Sequence, residues 1–336
     1  MGTRRYGLLI LLLLLSLTGW SQVNRYMVYL NNKAGTPYTI SAPEQFLATR
    51  SIERRQKQGI AITEGDLPVN PAYVSQLVTN GATVLYTSRW MNGVLIQCDA
   101  SQVSVIEGLS IVDSVALAAP NEKPSATGRH KGARHTSGRV ESVVNQFQLG
   151  MLGLDYMHTG GYTGSGILIA ALDDGFQGVN TITPFQSLFS ANRVDMVNSF
   201  DYVHKQTDVF LFDDHGTEVL SVMAAFEDGV YEGGAHDASF VLFVTEDVTT
   251  EYRIEEYNWL IAAERADSLG VDIIHTSLGY YAFDDASMNY AQSDMDGGTA
   301  VLRRRRRTPP PGDGGGGECR KRRCAALADH YRARRW

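Results

Sequence analysis

Three short segments carry residue types able to act together. The first ends in Asp173, which follows the unbroken apolar run 166–172 and precedes Asp174-Gly175. An acid at the end of a buried strand is shielded from water and can hold a neighbouring imidazole in one tautomer. Alone, an Asp-Gly step reads equally as a turn or a helix cap. The second segment is His215-Gly216-Thr217-Glu218, after Asp213-Asp214. A histidine opening a helix beyond a sheet is placed to accept a proton from a nucleophile, and Gly216 allows close backbone approach beside the ring. The third is Ser277-Leu278-Gly279, where a strand runs into a glycine. Such an edge can take up an extended peptide by strand addition, although alone it reads as a plain strand-to-turn junction. The other histidines, His130, His135, His158, His204, His236, His275 and His330, lack a comparable setting.

The elements needed to position these residues follow from periodicity. Residues 166–172 are a continuous apolar run of strand length, and 239–245 and 272–278 read as further strands, expected to be buried in a parallel sheet. Between them, apolar spacing predicts a helix from His215 and an amphipathic helix over 251–269. The latter turns Tyr257, Leu260, Ile261 and Ala263 inward and stops at Gly270. Strands alternating with helices imply a doubly wound, mostly parallel α/β domain, whose ligands gather beyond the carboxyl ends of the strands. The glycines at 161, 164 and 166 precede their strand, whereas a dinucleotide loop follows one, so nucleotide binding is rejected.

Upstream the elements are shorter. Residues 26–30, 83–89, 93–98 and 111–115 read as strands, with a turn at Met91-Asn92-Gly93. Ser41-Ala42-Pro43-Glu44 reads as a capping box opening a helix to about Gln58. Asn70-Pro71 starts a second helix, and Asp99 caps a third. This is a small α+β domain over 23–120. Residues 121–140 are polar, basic and rich in Gly, Ser and Thr, and read as a linker open to proteolysis. The larger domain occupies 141–300. Before all of this, Arg4-Arg5 and an apolar run from Leu8 to Leu15 lead to Thr18-Gly19-Trp20-Ser21. That is the layout of a secretory signal peptide over 1–22, too short for a membrane span of about 20 apolar residues. The expected product is exported to the medium or cell envelope, with no membrane contact after signal cleavage.

Composition excludes further classes. The 336 residues carry a net charge of −7, but 12 of the 30 Lys and Arg lie in 301–336 with only three of the 37 Asp and Glu. This leaves 18 basic against 34 acidic residues in the first 300, a net of −16, which argues against nucleic-acid binding along that surface. Of three cysteines only Cys98 lies before the basic tail, so neither a disulfide framework nor a cysteine zinc site is expected. No spacing argues for a metal site at Asp173, Asp174 and His215.

Taken in order, Leu172-Asp173-x-Gly175, His215-Gly216-Thr217 and Ser277-Leu278-Gly279 resemble the subtilisin-like serine proteases, the subtilases. In that family the triad runs Asp, His, Ser along the chain. The segment 161–166 is similar to the lead-in of the Asp strand. Gly234-Ala235-His236-Asp237-Ala238 resembles a turn that is often Gly-Val-Ala-Pro. The resemblance spans roughly 146–299, and 24–120 more weakly resembles the inhibitory, chaperone-like propeptides of these enzymes. It implies a zymogen with polypeptide substrates and its own propeptide as partners. Asp173 would orient His215, His215 would be general base and then acid, and Ser277, Leu278 and Gly279 would bind substrate main chain. No cofactor is implied; calcium is common in the family, without a ligand set to name here. Two departures stand out: Asp174 replaces the usual Thr or Ser, and Glu218 replaces a usual second histidine. Asp174 adds a charge expected to raise the His215 pKa.

The nucleophilic serine in a Gly-Thr-Ser segment and the oxyanion-hole asparagine both follow the Ser-Leu-Gly strand in the family, and no match to either follows Gly279. From about Val301 the chain turns to Arg303–Arg307, Pro309–Pro311, Gly314–Gly317 and Cys319-Arg-Lys-Arg-Arg-Cys324. This low-complexity text cannot complete a parallel sheet and reads as a frameshift or a truncated gene model. The 336-residue chain is therefore expected to be inactive as written. The competing reading is a non-catalytic secreted decoy, or a folding chaperone and inhibitor of an active homologue.

Overall fold

A computed structural model describes residues 23–120 and 145–294. The expected signal segment, the linker and the basic tail lie outside the described residues. In the first block the chain forms β1 (Val23–Leu30), α1 (Thr49–Lys57), α2 (Pro71–Thr79), β2 (Thr83–Ser88), β3 (Gly93–Asp99), α3 (Val103–Glu107) and β4 (Val112–Ala119). The strands make an antiparallel sheet in the order β2-β3-β1-β4. Helix α2 begins as its sequence dictates: Asn70 accepts a hydrogen bond from the Ala72 N–H and Pro71 takes the first turn. The expected long helix from Ser41 does not form. The Ser41 hydroxyl bonds Thr39 Oγ1 instead, only a 3-10 turn (Pro43–Gln45) follows, and α1 starts later, at Thr49. No side chain caps it, and the Ala48 N–H donates to the Ser268 carbonyl of the second block.

The second block contains α4 (Gln146–Leu152), α5 (Leu154–Thr159), β5 (Leu168–Asp173), α6 (Gln186–Ser190), β6 (Phe200–Asp201) and α7 (His215–Ala224). It continues with β7 (Phe226–Glu227), β8 (Tyr231–Glu232), β9 (Ser239–Val244), α8 (Ile254–Leu269) and β10 (Ile273–Thr276). Four strands form a parallel sheet in the order β10-β5-β9-β6, the expected α/β architecture. Successive side chains of β5 and β9 alternate between two cores. Ile169, Ala171, Phe240 and Leu242 pack with Leu220 and Ala224 of α7. Ala170, Leu172, Val241 and Phe243 pack with α8. The last strand departs from expectation. It ends at Thr276, and as the edge of the described sheet it is half-open, with Ile273 45% exposed.

Helix α8 also corrects the amphipathic reading. It is buried nearly all round, including Glu255, Glu256, Asn258 and Glu264. One side packs on the parallel sheet; the other is covered by Met27, Tyr29 and Leu95 of the antiparallel sheet. Helix sides that would face water in the larger domain alone thus become a second core. The polar groups trapped there are paired across the junction. Glu264 accepts from the Ser88 hydroxyl and from the Arg89 and Trp90 N–H groups, while Asp267 receives the guanidinium groups of Arg54, Arg55 and Arg89. Tyr29 and Tyr257 share a hydroxyl contact of 3.0 Å. Gly270, with φ +83, ends α8, and a Cβ there would lie 2.5 Å from the Ser51 nitrogen, so α1 could not seat. Burial raises the Glu264 pKa, while its hydrogen bonds hold it down. Replacing Glu264 by Ala strands three donors and should cost about 3–5 kcal/mol, the usual range for breaking a buried charge network. Urea denaturation of the full chain measures this, and a loss under about 1 kcal/mol would contradict the geometry.

Candidate active site

The carboxyl ends of the parallel strands converge. Asp173 ends β5 and pairs in register with Val244, the last residue of β9; Thr276 of β10 pairs with Leu172. Ser277 therefore follows at the sheet end that holds Asp173, with Leu278 and Gly279 beyond the strand rather than in it. The Asp173 backbone is fixed from behind, its carbonyl accepting from the Thr245 N–H at 2.9 Å.

His215 opens α7 and meets Asp173: Nδ1 lies 2.6 Å from Asp173 Oδ1, a charge-assisted hydrogen bond across 42 residues of sequence. The acid is 1% exposed and the imidazole 29%. Oδ1 also accepts from the Asp174 N–H at 2.9 Å, while Oδ2 is buried and makes no hydrogen bond. With Nδ1 committed to Asp173, Nε2 is the ring nitrogen left for proton transfer. Close approach at Gly216 makes the contact possible, for a Cβ there would lie 2.3 Å from the Gly175 carbonyl oxygen and 2.9 Å from Asp173 Cβ. The glycine after the histidine is thus required by packing, as its position in sequence suggested.

The Asp173 hydrogen bond raises the His215 pKa to about 9 against the opposing effect of burial, with smaller contributions from the charges of Asp173, Asp174 and Glu218. The expected effect of Asp174 is therefore present but secondary. Asp174 is itself pushed up to about 7, chiefly by burial and then by Asp173 and Asp213, with a 3.3 Å hydrogen bond from the Gly216 N–H opposing. Its charge, and hence its pull on His215, grows in only near neutral pH. A second carboxylate–imidazole contact, His204 Nδ1 to Asp201 Oδ2 at 2.9 Å, lies beyond β6. It spans three residues within one turn, and the His204 ring stacks on Phe212. As a metal set, Asp173, Asp174 and His215 offer atoms within 4.8 Å of one another. The 2.6 Å contact, however, is shorter than the roughly 3.3 Å that separates two ligands on a tetrahedral ion with bonds of about 2.0–2.1 Å.

Sequence reasoning missed the charged junction at Glu264 and Asp267, and also a cluster of His158, Glu232 and His236. The two histidines are 78 positions apart and share no motif, so no local signal joins them.

Two family models match parts of the chain. Residues 164–304 match the family model described as "Subtilase family", and residues 25–133 match "Peptidase S8 propeptide domain, Bacteroidota". These matches identify a segment of the subtilase family preceded by a segment of the corresponding propeptide type. No curated protein matches it in sequence. Among solved structures it is similar to a mutant of the epidermin leader peptide processing serine protease from Staphylococcus aureus. There the TM-score is 0.47 at 12% identity, over 76% of this chain and 50% of that one. It is also similar to fervidolysin from Fervidobacterium pennivorans, a keratinolytic enzyme related to subtilisin. There the TM-score is 0.45 at 14% identity, over 80% of this chain and 37% of that one. The chain thus spans half or less of the length of these structures. No helix among the described residues is long and apolar enough to cross a membrane.

An NMR titration of the full chain should place the His215 midpoint near 9. Asp173→Asn should lower it towards the ordinary 6.5, and Asp174→Asn should lower it less. Because the folded value is raised, the pairing stabilises fully below pH 6.5 and this contribution is lost as pH rises through about 9. A midpoint unmoved by Asp173→Asn would mean that the contact is absent in solution.

Proposed function

We propose that the described residues are the propeptide and the first part of the catalytic domain of an exported serine endopeptidase of the subtilisin type. Asp173 orients and charge-stabilises the imidazole, and His215 is the general base in acylation and the general acid towards the leaving amine. Ser277, Leu278 and Gly279 offer main chain to an extended substrate on the acyl side of the scissile bond. The observation that carries this reading is the 2.6 Å contact between Asp173 and His215 at the carboxyl end of a parallel sheet. The burial of α8 beneath the N-terminal domain supports the zymogen layout, since the propeptide holds the peptidase domain through a dedicated polar junction.

This 336-residue sequence holds no segment after Gly279 that matches the nucleophile or the oxyanion asparagine. Loss of the nucleophile from a subtilisin-type triad costs on the order of 10⁶ in rate. The chain as written is therefore proposed to bind polypeptide without cleaving it. The purified 336-residue product should leave casein intact over hours, and cleavage sensitive to phenylmethylsulfonyl fluoride would contradict the proposal. Should the chain act as an inhibitor or chaperone instead, adding it to an active full-length homologue would suppress or restore cleavage in trans.

A further inference from the structure

We propose that His158, Glu232 and His236 form a binding site for a borderline divalent transition metal such as Zn2+, which fastens the start of the peptidase domain to the β7–β8 hairpin. The inference does not depend on the protease reading.

His158 lies on α5, Glu232 ends β8, and His236 follows in the next turn; one ligand atom from each lies within 4.8 Å of the other two. The tautomers make the case. His158 Nε2 is 3.1 Å from the Gly234 carbonyl oxygen, which can only accept, so Nε2 carries the proton. In the neutral ring Nδ1 is then a bare lone pair. It is buried, makes no hydrogen bond, and faces Glu232 Oε1 at 3.0 Å. Two acceptors at that distance need a positive charge between them, supplied by a proton on the ring or by a metal ion. His236 Nδ1 lies 3.6 Å from the same oxygen. Separations of 3.0 and 3.6 Å bracket the roughly 3.3 Å between ligands of a tetrahedral ion with bonds of about 2.0–2.1 Å. The outer groups also fit. The Gly234 carbonyl holds the far nitrogen of His158 at 3.1 Å, and Asp237 Oδ2 lies 3.8 Å from His236 Nε2, near enough to accept its proton after a small shift. Metal binding moves the His236 proton from Nδ1, now 3.1 Å from the Gly233 carbonyl, to Nε2 facing Asp237. The Phe226 and His158 rings, with centroids at 4.9 and 5.2 Å, hold His236 in place.

Two imidazoles and one carboxylate select Zn2+ or its neighbours over Ca2+, which takes oxygen ligands. Apolar packing attaches the segment only weakly. Helices α4 and α5 expose Phe147, Met151, Leu152 and Tyr156, each more than 70% open, and bury only Leu149. Asn145, just before α4, bonds the Glu232 backbone in both directions, so the metal would reinforce a seam already started there.

The test is calorimetric titration of metal-free full-length chain with Zn2+ and, separately, Ca2+, together with thermal melts. The expected result is one Zn2+ bound per chain through this cluster, no Ca2+ bound there, and a rise in melting temperature with Zn2+. His158→Gln and His236→Gln should each weaken that binding at least about 100-fold and abolish the rise. Circular dichroism confirms that each variant is folded. Should a variant unfold, Co2+ added to the unmutated chain gives the answer, since a tetrahedral nitrogen–oxygen spectrum supports the site and an all-oxygen octahedral spectrum overturns it. No saturable Zn2+ binding, equal binding by the variants, or loss of binding only in His215→Ala would each overturn the proposal.

Discussion

A carboxylate that is 1% exposed, with one oxygen making no hydrogen bond, can stay ionised only if a positive partner is held against it. Removing such a charge from water costs several kcal/mol unless good geometry offsets it. The contact between Asp173 and His215 meets that condition, and much of the second domain can be read as the means of keeping it. Strand β9 fixes the backbone of Asp173 through Thr245. The core behind the sheet, with Phe240, Leu242 and Leu220 wholly buried, sets the height of α7. Gly216 lets the helix come close enough for the ring to reach. Disturbing any of these moves the imidazole before it touches the chemistry.

Helix α8 is the second constraint, because it belongs to two cores at once. The parallel sheet and the antiparallel sheet each cover one side, so the propeptide domain is part of the peptidase domain's interior as far as this helix is concerned. The buried acids on the helix follow from that position. Burial pushes Glu256 up to about 7 against the hydrogen bond from Tyr290, and raises Glu264 against its three donors. Acids with raised folded-state pKa values weaken a fold as pH climbs from their unfolded values through their folded ones. For Glu256 that contribution is lost as pH rises from the ordinary carboxylate value through about 7, and the raised pKa of Glu264 acts in the same direction. The His215 pairing persists to higher pH, through about 9, so the buried acid Glu256 and the site titrate over different ranges.

The surroundings of His215 are acidic. Asp173, Asp174 and Glu218 all favour the imidazolium, and the two departures from the family pattern add to the acid. Asp174 partly cancels its own influence, since burial beside Asp173 keeps it near half-protonated at neutral pH. The strength of His215 as a base and the fraction of it that is neutral therefore pull in opposite directions, and the acidic neighbours favour strength.

Local pattern was enough to find the strands β5 and β9, the start of α7, the Asn70–Pro71 helix entry and the order of Asp173, His215 and Ser277. Each depends on neighbours in the chain: apolar runs, a cap, a turn glycine or a short motif. Features that depend on distant chain segments were not legible. The capping signal at Ser41 was outcompeted by a Thr39 contact and by docking of α1 onto α8. The inward face of α8 was readable, but the covering of its other face by a sheet more than 130 residues upstream was not. The strand 272–278 read as buried from Ile273, Ile274 and Leu278, while its place at the edge of the described sheet follows from strand order alone. His158, Glu232 and His236 met only because a helix, a hairpin and a turn pack together. Periodicity and caps act over a few residues, so sequence determined which elements form and which residues end them. The partners those residues meet are set by long-range packing, and that only the tertiary structure decided.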